Sequence, residues 1–209
     1  MKKIHLFGVA VAMLTVYSCS TVPLSGRNRL SFVNESEMQT AAAQSYNTLL
    51  KDPSTKVLNN AEAARVKRIG QKIATAVTQY MNANGLGDEI AGFKWEFNLI
   101  DSKEVNAWCM PGGKVAVYSG ILPVTKDDAG LATVMGHEIA HAVAKHSSER
   151  ASKAAVAEGV GSLIGAATSG KSAATQQVLG SLYGVGAQAG YLLPNSRTQE
   201  LEADHLGLI

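Results

Sequence analysis

Five residues constrain this chain most: His137-Glu138-Ile139-Ala140-His141, which read H-E-x-x-H. On a helix, residues four apart project from one face, one turn above the other, so two imidazoles can grip a single metal ion. Glu138 falls on the flank of that face, where it can reach a water on the metal without being a ligand. A zinc ion with three protein ligands keeps a position open for water and lowers the pKa of that water to about 7. A carboxylate beside it can take the proton as the water attacks a peptide carbonyl, then pass a proton to the leaving amine. The flanks support a helix buried on both sides of the motif, because Leu131, Val134, Met135, Ile139, Ala142 and Val143 recur at helical spacing. Thr125 with Asp128 three residues later reads as its start, and an acidic residue in the first turn suits the helix dipole.

The motif needs a third ligand from elsewhere in the chain. Glu200 is the best candidate, because Glu200 and Asp204 would share a helical face. Asp204 would then hold a ligand histidine by its other ring nitrogen, fixing tautomer and basicity. Such acidic pairs are more often exposed helix surface, so the assignment draws its weight from the need of His137 and His141 for a partner. Glu202 faces away from Glu200 and reads as a solvated charge. Glu149 and His146 are rival ligands. His146 lies five residues beyond His141, turns off the ligand face on a continuing helix, and reads as a surface or packing residue. His205 reads as solvent-facing. Cys109 has no Cys-His signature around it and reads as structural rather than nucleophilic.

Longer strings carry a resemblance. They are H-E-I-A-H-A-V-A-K-H-S-S-E-R from His137, S-R-T-Q-E-L-E-A-D-H-L-G-L from Ser196, and N-A-W-C-M-P-G-G-K-V-A-V-Y-S-G-I-L from Asn106. Together they resemble the HtpX/Oma/BepA group of zinc metallopeptidases, metallopeptidase family M forty-eight, over most of residues 106–209. The resemblance implies an α+β, zincin-like (gluzincin) domain, mostly helical, with a small mixed or antiparallel sheet beside the HExxH helix. It implies one Zn2+ per chain on His137, His141 and Glu200, with Glu138 as general base and Asp204 behind a ligand. It implies an endopeptidase acting on misfolded or misassembled envelope proteins. It also makes Asn106, Ala107 and Trp108 the free strand edge on which an extended, unfolded substrate would pair through main-chain hydrogen bonds. A strand fully paired within its sheet remains the alternative, since alternation does not reveal edges. Finally, it implies further helix past Ile209, including a polar residue that stabilises the oxyanion.

The chain begins like a targeting signal. Lys2 and Lys3 precede an apolar run from Ile4 to Val16 that is too short to span a bilayer comfortably. Val16-Tyr17-Ser18-Cys19 resembles a lipobox, with residues 1–18 cleaved and Cys19 lipidated. An ordinary secretory signal or an uncleaved anchor is the alternative. Ser20, rather than an aspartate, favours the periplasmic face of the outer membrane by resemblance. Lys2 and Lys3 are the only charged residues before Cys19, so the remainder carries 17 basic and 17 acidic residues from the chain's 19 and 17. That balance gives no polybasic face, and nucleic acid is not an expected partner. With Cys19 lipidated, Cys109 is the other of 2 cysteines and no intrachain disulfide is available.

Residues 19–34, with Pro23, Gly26 and Asn28, read as a tether, and residues 35–209 as one domain. A helix is expected from Ser36 to about Lys51 and a longer one from about Asn60 to Asn82, ended by Asn84-Gly85. Alternation at Phe93, Trp95, Phe97 and Leu99 predicts a half-buried strand. Val105 to Trp108 predicts a second strand, with Met110-Pro111-Gly112-Gly113 turning into a third over Lys114 to Ser119. Residues 154–193 are rich in Gly, Ala and Ser and read as two apolar arms, Val156 to Ala167 and Val178 to Leu193. A buried hairpin or a lid over the metal cleft is favoured over a membrane-resting flap. A chaperone-like lipoprotein that holds unfolded clients and cuts little is the competing function, and a structural lipoprotein without metal a third.

Overall fold

Two helix caps frame the first layer of the fold. The computed structural model describes residues 19–157 and 196–209. Asn34 caps helix α1 (Glu35–Lys51), accepting from the backbone of Ser36 and Glu37. Asn60 caps α2 (Ala61–Ala83) by accepting from Ala63 at 2.9 Å. The far end of α2 closes with Gly85 in the left-handed region at φ +71°, and Leu86 N–H reaches back to Met81 O at 2.8 Å. Both helices therefore start and stop where their cap residues allow, within a residue or two of the expected limits.

Three strands lie between the helices. β3 (Glu96–Ile100) runs parallel to β5 (Lys114–Tyr118), and β4 (Ala107–Met110) runs antiparallel to β5, giving the order β3-β5-β4. Phe97, Leu99, Ala107, Cys109, Val115 and Val117 face a core shared with α2 and with α4 (Asp128–Val143), which carries the motif. Ile100, Met110, Ala116 and Tyr118 face α1 through Ala42 and Tyr46. The first strand is thus buried on both faces rather than half-buried, because α1 covers the side that alternation assigns to solvent. It also begins at Glu96; Phe93 and Trp95 precede it in an aromatic stack, with centroids 5.1 Å apart and Trp95 6.3 Å from Phe97. β4 starts two residues later than expected. Asn106 stays just outside it, though its carbonyl accepts from Tyr118 N–H at 3.0 Å.

The run into the motif helix also differs from expectation. A short helix, α3 (Leu122–Thr125), ends at Lys126 with φ +63°, and Asp127 is the true cap of α4, accepting from Gly130 N–H at 2.8 Å. Thr125 instead bonds back to Leu122 O at 3.2 Å. α4 stops at Val143; Lys145 turns through φ +58°, and α5 (His146–Ala157) starts at once in a new direction. α6 (Arg197–Leu206) opens with a Ser196–Gln199 capping box and lies against α4.

Residues 19–34 are not a free tether. β1 (Cys19–Thr21) pairs antiparallel with β2 (Asn28–Leu30), Val22 is buried, and Phe32 N–H bonds to Ser152 Oγ at 3.0 Å. Arg29 is buried and pairs with Glu35 at 3.1 Å, so the hairpin is fastened to the helices. The expected signal peptide at 1–18 and nearly all of the Gly/Ala-rich arms lie outside the described residues. Among the described residues, no helix is long and apolar enough to cross a membrane.

Candidate metal centre

α4 buries Leu131, Met135, Ile139, Ala142 and Val143, which turns the His137–His141 side toward α6. The two helices meet at glycine. A Cβ on Gly136 would lie 2.9 Å from Gly207 O, and one on Gly207 2.9 Å from His137 N. Only residues without side chains permit this approach, and it brings α6 close enough for a carboxylate to reach the imidazoles.

There the structure gathers His137, His141 and Glu200, whose ligand atoms all lie within 4.8 Å of one another. His137 Nε2 and His141 Nε2 are 3.0 Å apart. Glu200 Oε2 is 3.5 Å from the former and Oε1 3.5 Å from the latter. Two metal–nitrogen bonds of about 2.05 Å at a tetrahedral angle put nitrogens about 3.3 Å apart, close to the spacing found. Two imidazoles and one carboxylate are also the donor set of a hydrolytic zinc site, so these residues fit such an ion. Burial, then the neighbouring His146 and His137, push His141 down to about 3, so its ring is neutral and able to ligate. Asp204 Oδ1 lies 2.9 Å from His137 Nδ1, where a carboxylate accepts, and this bond turns His137 Nε2 toward the cluster.

Glu138 stands beside this group without joining it. Burial, then the nearby Glu200 charge, push its carboxyl up to about 8. A bound cation would act in the opposite sense. The Glu138 charge also registers on Cys109 in β4, whose thiol burial raises well above the ordinary range. β4 has β5 on one side and no strand on the other among the described residues. Ala107 is buried, Trp108 is packed edge-on against Tyr46 at 5.8 Å, and Asn106 sits at the entrance of the strand.

Three of the neighbouring residues find their places here. Of the surface and packing roles open to His146, the structure gives it the buried one: it is fully buried, with Nδ1 2.7 Å from His141 Nδ1. The break at Lys145 is the reason, because spacing on a continuing helix no longer applies. Glu202, by contrast, is not the solvated charge expected. Its side chain is 7% exposed, 2.9 Å from His146 Nε2 and 2.8 Å from Arg27 Nη2. The α6 face opposite Glu200 meets α5 and the hairpin rather than water. Glu149 is no rival ligand: it is buried against Arg27 at 2.8 Å, Lys153 at 2.6 Å and Gln199 at 2.9 Å. These bonds hold its carboxyl down at about 2 in spite of burial. His205 is exposed, as expected. The buried residues behind the site had one signal in the sequence: Lys145 to Arg150 is a polar run with no apolar period, directly after the motif helix.

The chain is similar to proteins already known. The chain matches the model of Peptidase family M48 over residues 60–209. It is 32% identical to the mitochondrial metalloendopeptidase OMA1 of Schizosaccharomyces pombe over 207 residues, which covers 98% of this chain and 56% of that protein. It is 31% identical to the OMA1 of Saccharomyces cerevisiae over 90% of this chain and 52% of that one. It is 31% identical to the metalloprotease YcaL of Escherichia coli over 74% of this chain and 61% of YcaL. The chain therefore spans a little over half the length of these relatives. A family match over more than half the chain is decisive: this chain belongs to peptidase family M48.

Proposed function

We propose that this chain is a zinc-dependent endopeptidase of zincin-like fold that hydrolyses peptide bonds in misfolded or misassembled proteins of the cell envelope. The observation that carries the reading is the convergence of His137, His141 and Glu200, with Glu138 half-buried beside them. Zinc, when bound, supplies Lewis acidity toward a water and a carbonyl. His137, His141 and Glu200 would hold it, and Asp204 keeps His137 in the ligating tautomer. Glu138 is the catalytic residue: it removes a proton from the attacking water and delivers one to the departing amine. The outer edge of β4, from Asn106 to Trp108, would receive an extended segment by main-chain hydrogen bonds, which suits unfolded substrates of varied sequence.

Cys19 would carry the lipid that holds the protein to the membrane, on the periplasmic face of the outer membrane. Arg27, eight residues on, is bonded to Glu202 behind the site. Eight residues reach at most about 28 Å, so the cleft would work close to the bilayer surface. The names of the relatives, metalloendopeptidase and metalloprotease, support the reaction class. The test is Glu138→Gln. Bound zinc, measured by elemental analysis, should remain near one per chain, while chelator-sensitive digestion of unfolded casein falls by about 10²–10⁴-fold. Unchanged protection of unfolded clients with no digestion by either protein would favour the holding function instead.

A further inference from the structure

We propose that His146, backed by Glu202 and Arg27, is a positioning residue that accepts from His141 Nδ1 when metal is bound and so aims His141 Nε2 at the place it shares with His137 and Glu200. The inference rests on the metal reading above and deepens it. Two ligand histidines are oriented here by different devices. His137 uses Asp204 directly, at the rim of the site, where the Asp204 side chain is 66% exposed. His141 is 8% exposed and has a buried imidazole behind it rather than a carboxylate.

The proton arrangement follows from the far end of the chain of bonds. Arg27 donates to Glu202 Oε2 from Nε at 3.0 Å and from Nη2 at 2.8 Å, so this oxygen belongs to a carboxylate that accepts only. His146 Nε2, 2.9 Å from the same oxygen, must therefore carry a hydrogen. A His141 that ligates metal through Nε2 carries its proton on Nδ1, 2.7 Å from His146 Nδ1, which then accepts it. With the metal bound, a hydrogen on His146 Nδ1 would set two donors against each other across 2.7 Å in a buried site. The relay runs through three separate parts of the chain: the hairpin supplies Arg27, α5 supplies His146 and α6 supplies Glu202. Arg27 is itself fixed by a second carboxylate, with Nη1 and Nη2 on Glu149 at 3.0 and 2.8 Å. The N-terminal hairpin is in this way part of the metal site's supporting structure.

The test uses the full-length chain in detergent, with ¹⁵N-labelled histidine. In the zinc-loaded wild type, long-range ¹H–¹⁵N spectra should show His141 protonated on Nδ1 and His146 on Nε2 alone. A His146 ring protonated on Nδ1 would overturn the inference. Among variants, His146→Leu should lose about 10–100-fold in zinc affinity, measured against a competing chelator. His146→Asn, whose amide oxygen can accept from His141 Nδ1, should recover most of that affinity. Arg27→Gln should mix the His146 tautomers. A folded His146→Leu protein with zinc affinity within twofold of wild type would also sink the proposal. Failure of the metal reading has a different mark: Glu200→Gln would then leave zinc binding unchanged.

Discussion

Gly207→Ala adds one methyl group at the place where α6 touches the motif helix. Gly207 has φ −71° and ψ −12°, which alanine adopts freely, so any effect comes from space alone. The new Cβ would stand 2.9 Å from His137 N, 2.9 Å from Ala203 O and 3.0 Å from Gly136 C. His137 N and Gly136 C are backbone atoms of the facing helix and cannot swing aside, whereas Ala203 O moves with α6 itself. Ordinary contact between carbon and its neighbours begins at about 3.5 Å, so the end of α6 must retreat by roughly 0.5 Å. That equals the tolerance of about 0.5 Å within which a metal or catalytic constellation must be held. Asp204 lies on the last turn of α6 and Glu200 one turn earlier, so both retreat with the helix. The expected cost is about 1–3 kcal/mol in metal-free stability from overpacking. A 10–100-fold loss of zinc affinity should accompany it, as for other disturbances behind metal ligands. Thermal unfolding of the metal-free protein and chelator competition measure the two effects. Asp204→Asn serves as the comparison: its side chain is largely exposed, so it should weaken zinc while leaving metal-free stability alone. A Gly207→Ala protein that unfolds earlier but binds zinc as wild type does would refute the idea that this contact places the carboxylate.

Three more outcomes can be checked. Arg27→Ala leaves Glu149 and Glu202 buried without their guanidinium and should destabilise by about 3 kcal/mol, read by chemical denaturation. In wild type, the Glu149 carboxyl, held down at about 2, contributes stability that is fully present above its unfolded value of about 4.3. That contribution is lost as pH falls from about 5 toward 2; acid unfolding should therefore shift upward in pH in Arg27→Ala, and an unshifted midpoint would contradict the assignment. Tyr46→Phe removes a hydroxyl that donates to Val115 O at 2.7 Å and accepts from Asn98 Nδ2 at 3.1 Å, and should cost about 1–2 kcal/mol with zinc affinity unchanged. Cys109, buried with a thiol pushed up by burial, should resist alkylation in the native protein and react on unfolding; rapid native labelling would show that the core around β4 opens.

How much of this could be read in advance depends on how far apart in sequence the interacting groups lie. The H-E-x-x-H spacing, the stripe of α4 and the Asn60 and Gly85 ends of α2 are local, and local period and cap chemistry reveal them. The start of α4 was less legible. Thr125–Asp128 and Asp127–Gly130 are both plausible caps on spacing, and the left-handed turn at Lys126 decides between them. The hairpin was misread for a related reason. Pro23, Gly26 and Asn28 do mark a turn, but strands of 3 residues give no alternation to recognise. What folds them down is Arg27 meeting Glu149 and Glu202, 122 and 175 positions away. No window on the sequence contains such a pair. The same holds for His146, whose role depends on a single left-handed residue that breaks the motif helix. Metal ligands announce themselves because one helix face must present them together. The groups that orient them need only arrive at the right atom from any element, and so they look like ordinary polar residues until the fold has placed them. In a member of this family, buried charge next to the motif helix is therefore a better guide to the supporting residues than their distance from it along the chain.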